Sequence, residues 1–219
     1  MIKAAIVDDH QLFRKGLVML VNTFEGVEVV LEAANGIQLL SDLKNTPVDI
    51  LLLDIQMPQM DGYKICISVR EQFPDIKVLI VSQLNTREAV HKVMECGAHG
   101  FFSKNSNPEH LEQAIFNISD RDFYFSHELG AIIREAILWD KNKQADPTSS
   151  QPVITPREME VIRLACKELS SIEIADKLCI TVRTVDTHRK RIMERTNSKN
   201  FIGVILYAIK HNLLSVDDI

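Results

Sequence analysis

The residues of this chain that could do chemistry together are Asp8 and Asp9, Asp54, Ser82 and Lys104. Carboxylates gathered at one place repel one another unless a hard cation sits among them, and Mg²⁺ favours one or two carboxylates with water and phosphate oxygens. A lysine ammonium in that company can pair with Asp54 or with a phosphoryl oxygen, and a serine hydroxyl can hydrogen-bond the same group. Asp54 would then be a nucleophile able to form an acyl phosphate. The stretch "VDILLLDIQMPQMDG", Val48 to Gly62, sharpens the point, because the large aliphatics Ile50 to Leu53 run straight into Asp54. Burying an unpaired charge is costly. The carboxylate therefore reaches water or a helix end, or it sits at a site that needs an anion.

Each residue alone has a plainer reading. A strand-end Asp is usually a loop cap, Asp61-Gly62 is a turn by composition, Lys104 a surface lysine, Ser82 a turn residue and Phe101 a core aromatic. The elements between them turn the set into a site. Short apolar runs at 2–7, 27–33, 48–54, 76–82 and 98–103 read as buried strands, and helical periods fall at 11–23, 37–44, 63–73, 86–96 and 108–119. Asn107 and Pro108 mark the start of the last helix. Strands alternating with helices imply an α/β doubly wound, five-stranded parallel sheet covered on both faces. Ligands of such sheets bind beyond the carboxyl ends of the strands. Asp8-Asp9, Asp54, Ser82 and Lys104 are where four strands stop.

This order and spacing, with "DIQMPQMDG" around Asp54, resembles the receiver domain of bacterial two-component response regulators over residues 1–120. The resemblance implies that Asp54 accepts a phosphoryl group from a sensor histidine kinase. Asp8, Asp9, Asp54 and the backbone carbonyl of Gln56 would hold Mg²⁺, while Ser82 would sense the phosphoryl group and Lys104 pair with it. Phe101 stands at the aromatic switch position, and the flavodoxin-like strand order 2-1-3-4-5 is expected by analogy. Two residues depart from the pattern. Gln83 stands where a small residue is usual, which would narrow access to Asp54, and Gln56 is polar, which fits a tunable acyl phosphate lifetime. A phosphatase or phosphotransferase acting on small molecules would want Asp-x-Asp, whereas the triplet here is Asp54-Ile55-Gln56.

The chain has 219 residues and an apolar fraction of 46%, enough for a packed core in one large domain or two small ones. No apolar run suits a membrane span, no signal-peptide pattern opens the chain, and the four cysteines read as buried thiols in a reducing, cytoplasmic setting. From Val153 onward there are 11 Lys and Arg against 9 Asp and Glu, so of the totals, 25 and 30, the front carries 14 against 21. An acidic front and a mildly basic back suit different partners. A helix at 127–139 and a polar linker at 140–152 fill the segment 121–152, and an all-α domain follows over 153–219.

In that domain Thr155-x-x-Glu158 and Ser170-x-x-Glu173 are capping boxes, and helices near 156–167, 171–178, 182–195 and 200–212 follow, with Thr181 as a further N-cap. The short "LCIT" between the second and third makes a helix-turn-helix, and "TPREMEVIRLA" through "TVDTHRKRIMER" resembles the LuxR-type domain. The whole is similar to response regulators of the NarL/FixJ type. On helix 182–195, Val185, His188 and Ile192 should face inward. Arg183, Thr184, Thr187, Lys190 and Arg191 are the expected contacts to double-stranded promoter DNA. Asp186 replaces a residue that is often basic, and an acid facing the groove would repel phosphate and could accept from cytosine N4. Glu168 replaces a usual glycine. The last helix is apolar almost all round, so Phe201, Ile202, Ile205 and Ile209 are expected at a homodimer contact.

The reading is a phosphorylation-controlled transcription regulator, not an enzyme beyond its own phosphorylation and dephosphorylation. It would dimerise on phosphorylation or DNA binding. Its rivals are a DNA-binding protein whose receiver is never phosphorylated, favoured by Gln83, and an aspartyl-phosphate enzyme, disfavoured by Gln56.

Overall fold

The computed structural model describes residues 1–58, 61–83, 89, 92–93, 95–121, 123–124, 154–167 and 169–214. The chain divides into two compact units, Met1–Tyr124 and Phe125–Ile219. Most of the helix expected at 86–96, the helix at 127–139, the linker at 140–152 and Glu168 lie outside the described residues. Among those described, no helix is long and apolar enough to cross a membrane.

The first unit runs β1 (Ile2–Val7), α1 (Gln11–Val21), β2 (Val27–Ala33), α2 (Gly36–Asp42), β3 (Ile50–Leu53), α3 (Gly62–Gln72), β4 (Lys77–Ser82), β5 (Gly100–Ser103) and α4 (Glu109–Arg121). The five strands form one parallel sheet in the order β2-β1-β3-β4-β5, the order expected by analogy. One face is packed by Leu17 and Val21 of α1 and by Leu111, Ala114, Ile115 and Ile118 of α4, against Ala4, Ile6, Ile50, Leu52, Leu79, Val81 and Phe102. Strand alternation turns Leu51, Leu53 and Ile80 to the other face, which right-handed crossovers assign to α2 and α3. Both faces are buried, which is why the strands read as unbroken apolar runs.

Register places the chemistry. Val7 pairs with Leu53, so the next residues, Asp8 and Asp54, leave the sheet side by side. Ser82 pairs with Ser103, so Lys104 leaves beside Ser82, and its N–H donates to the Ser82 carbonyl at 2.8 Å.

Two strands are shorter than their apolar runs. Ahead of β3, the Asp49 side chain accepts from the Lys3 N–H at 2.8 Å. Ahead of β5, the buried His99 offers imidazole Nδ1 to the Val78 N–H at 2.9 Å, in place of a strand carbonyl.

The second unit contains α5 (Pro156–Cys166), α6 (Ser171–Leu178), α7 (Val182–Thr196) and α8 (Phe201–Lys210). Both capping boxes are formed, and Thr181 caps α7. Cys66, Cys96 and Cys166 are buried free thiols, as expected, but Cys179 is exposed. It closes α6 in the left-handed region at φ 53°, which turns its side chain out of the core.

His99 must stay neutral at Nδ1 to accept from Val78. Burial holds its pKa well below 6.5, and the charges of Arg70 and Lys77 push the same way. As pH falls below 6.5 the unfolded chain takes up a proton that the folded one refuses, so the first unit loses stability in that direction. Urea unfolding across this range should show that loss, with a shallower slope in His99→Gln. Identical slopes would exclude the account.

Candidate functional site

At the rim of the first unit, Lys104 Nζ lies 2.6 Å from Asp8 Oδ2 and 2.7 Å from Asp54 Oδ2. Asp8 and Asp54 are each 2% exposed, and the Lys104 side chain is 7% exposed. One ammonium thus bridges two carboxylates that register forces together, offsetting part of their charge in a dry setting where each alone would be costly. The remaining oxygens are held by the backbone: the His10 N–H donates to Asp8 Oδ1 at 2.7 Å, and the Gln56 N–H to Asp54 Oδ1 at 3.0 Å. The Phe13 ring of α1 lies 4.3 Å from Lys104 Nζ, a cation–π contact on its apolar side.

Ser82 is fully buried, and its Oγ is 3.5 Å from the Gln56 side-chain oxygen. Gln83, expected to narrow the entrance, is exposed. Phe101 is buried on β5, and alternation turns it away from Phe102 and the α4 face. Gly62, first residue of α3, admits no Cβ: one would collide with Ile55 Cα and lie 2.6 Å from the Asp54 carbonyl oxygen. The close approach of α3 to the Asp54 loop therefore requires glycine, and the Asp61 side chain caps the helix there.

Asp8, Asp9, His10 and Asp54 each offer a ligand atom, all within 4.8 Å of one another. Asp9 Oδ1 is buried without a hydrogen-bond partner among the described residues. His10 Nδ1 stands 3.2 Å from it, close enough for an ion pair when protonated but not aligned as a hydrogen bond. The three carboxylates of this group, with one oxygen unpaired, fit a hard divalent cation such as Mg²⁺. His10 and Phe13 were not singled out from the sequence. The Asp-Asp-His triplet is the one local signal for the former, and the latter depends on a contact 91 positions distant in the chain.

In the second unit α7 presents Arg183, Thr187, Lys190, Arg191 and Glu194 to solvent, with Thr184 half-buried. Its buried side is Val185, Arg189, Ile192 and Thr196. His188, expected inside, is half-buried, and it is Arg189 that is enclosed, with its guanidinium 4.9 Å from the Phe201 ring. The Glu158 carboxylate, 2% exposed, accepts from the Thr155 N–H at 2.9 Å and from Arg195 Nη1 at 2.7 Å, so the start of α5 grips the end of α7. The Asp186 carboxylate is not simply turned to the groove: its Oδ1 accepts from Ser171 Oγ at 3.2 Å.

The dimer expectation needs correction. Phe201, Ile202, Ile205 and Ile209 are all buried within the single chain, where α8 packs on α5 and α7. Their number reflects a small domain wrapped around its last helix. Outward, α8 offers Gly203, Leu206 and Tyr207, half-buried, and the exposed Lys210.

Residues 4–116 match the family described as Response regulator receiver domain, and residues 152–208 match Bacterial regulatory proteins, luxR family. The chain is 32% identical over 215 residues to the Oxygen regulatory protein NreC of Staphylococcus epidermidis, covering 97% of this chain and 99% of that one. Its fold is similar to RcsB of Salmonella enterica serovar Typhimurium bound to promoter rprA with the phosphomimetic BeF3⁻, at TM-score 0.57 and 22% identity, over 96% of this chain and 100% of that one. A structure of two RcsB dimers bound to two parallel DNAs gives TM-score 0.57 at 21% identity, over 95% and 98%.

Replacing Lys104 with Met would leave Asp8 and Asp54 facing each other uncompensated. The variant should lose about 3 kcal/mol of stability in metal-free buffer and regain more on adding Mg²⁺ than the wild type gains. Chemical denaturation with and without the ion measures both. Equal stability and equal response would rule out the shared-ammonium account.

Proposed function

This chain belongs to the bacterial response regulators that join a receiver to a LuxR-type domain, and as a DNA-binding response regulator of a two-component system it is one in which, we propose, Asp54 is the phosphoacceptor. The observation that carries the proposal is Asp54 at a strand end, sharing the Lys104 ammonium with Asp8. The phosphoryl group would come from a phosphohistidine of a sensor histidine kinase. An Asp54 carboxylate oxygen attacks phosphorus, the P–N bond breaks as the P–O bond forms, and the departing imidazole takes up a proton.

Asp8, Asp9, Asp54 and the backbone carbonyl of Gln56 would hold Mg²⁺, which neutralises charge on the phosphoryl oxygens when bound. Lys104 exchanges its Asp54 oxygen for a phosphoryl oxygen. Ser82 gives up Gln56 and donates its hydroxyl to the same group, and Phe101 is repositioned with it. Gln56, close to both Asp54 and Ser82, sets how readily water reaches the acyl phosphate. The protein's own catalysis is confined to these two reactions, its phosphorylation and dephosphorylation.

The DNA contacts are Arg183, Thr184, Thr187, Lys190 and Arg191 of α7, supported by the exposure of four of them on one side of that helix. The regulator acts in the cytoplasm on a promoter operator, as a homodimer formed on phosphorylation or DNA binding. The domain limits are a receiver over 1–120, a joining segment over 121–152 and the helix-turn-helix domain over 153–219.

Intact mass after incubation with Mg²⁺ and acetyl phosphate tests the acceptor. One phosphoryl group should add to the wild type and none to Asp54→Asn. Addition to both would place the acceptor elsewhere, and addition to neither would make the receiver a module that works without phosphate.

A further inference from the structure

The side of α7 that must meet DNA carries one acid that is held in place. Thr184 Oγ1 is engaged with Thr181 Oγ1 at 2.9 Å, and the Thr187 hydroxyl donates to the Arg183 carbonyl at 2.8 Å. Among the described residues, the Arg183 and Lys190 side chains make no ion pair or hydrogen bond and are free to follow phosphates. Asp186 is different. It is exposed, yet Oδ1 accepts from Ser171 Oγ at 3.2 Å, and Ser171 is a buried residue in the first turn of α6. The Ser171 hydroxyl fixes the direction of the carboxylate. Oδ2 has no partner among the described residues.

We infer that Asp186 is a base-reading residue, selecting cytosine through the free carboxylate oxygen that Ser171 holds in position. This rests on the DNA-binding reading of α7 and goes beyond its phosphate and hydroxyl contacts. An ionised carboxylate only accepts hydrogen bonds. In the major groove, guanine offers acceptors O6 and N7, and thymine offers O4 and a methyl group, so both reject it. Adenine offers an amine, but its N7 lone pair lies next to it. Cytosine offers the N4 amine without a neighbouring acceptor on the same base edge. An acid so close to phosphates lowers affinity for every sequence, so at Asp186 general affinity is traded for discrimination. Anchoring matters because a carboxylate fixed in advance loses little freedom on binding. The alternative is that Asp186 only ties α6 to α7 and touches no base.

The test uses the full chain, treated with Mg²⁺ and acetyl phosphate, to select bound molecules from a pool of random-sequence duplexes. The wild type should enrich cytosine at one position for each recognition helix. Asp186→Ala should lose roughly tenfold in discrimination at that position and keep its preferences elsewhere. Asp186→Asn should move the preference towards adenine, whose N6 and N7 suit an amide. Ser171→Ala should weaken the cytosine preference without changing the base, at unchanged helix content by circular dichroism. Identical base profiles for wild type, Asp186→Ala and Asp186→Asn would overturn the inference and leave Asp186 as an interhelix tie. Failure of the wild type to enrich any sequence would instead overturn the DNA-reading assignment of α7 itself.

Discussion

A single ammonium shared between two carboxylates is the constraint around which the first unit is organised. The pairing of Val7 with Leu53 leaves Asp8 and Asp54 no choice but to emerge together. Lys104, delivered by the neighbouring pair Ser82 and Ser103, is the group that makes this tolerable. Its position is also exclusive. With Phe13 on one side and two carboxylates on the other, Nζ cannot serve a new anion without loosening an old one. Three carboxylates against one ammonium leave the rim short of positive charge, which is why a divalent cation suits it and why added phosphoryl charge would rearrange it.

The second unit is held by a comparable economy of charge. Glu158 serves both as the capping partner of Thr155 and as the acceptor for Arg195, joining the first turn of α5 to the last turn of α7. Ser171 and Asp186 join the first turn of α6 to the first half of α7. Together these ties set the direction of α7 from both ends. Val185 and Ile192 pack its inner side, so the outer side is left to charged and hydroxyl groups. Direction and surface composition are what a recognition helix needs to place side chains in a groove.

Much of this was legible in the sequence because its signals are local. The apolar runs, both capping boxes and the strand-end residues each announce themselves within a few positions. What could not be read depends on partners far apart. Nothing near His99 says that its imidazole will replace a strand carbonyl and shorten β5, and nothing near Phe13 points to Lys104. Strand order came by analogy, because apolar runs alone do not specify neighbours. The misreading of Phe201, Ile202, Ile205 and Ile209 has a similar origin. An all-round apolar helix is equally suited to a subunit contact and to the centre of a small domain, and burial alone decides between them. At Asp186 the charge is plain from the residue type, but the hydrogen bond that holds it joins Ser171 and Asp186 across two helices.

The proposed function requires that chemistry at Asp54 governs what α7 does on DNA. Its most direct test is the affinity of the full chain for a selected duplex, measured at one fixed salt concentration with and without Mg²⁺ and acetyl phosphate, beside Asp54→Ala. The account requires tighter binding by the treated wild type and no response in the variant. Equal affinity of treated wild type and Asp54→Ala would contradict it.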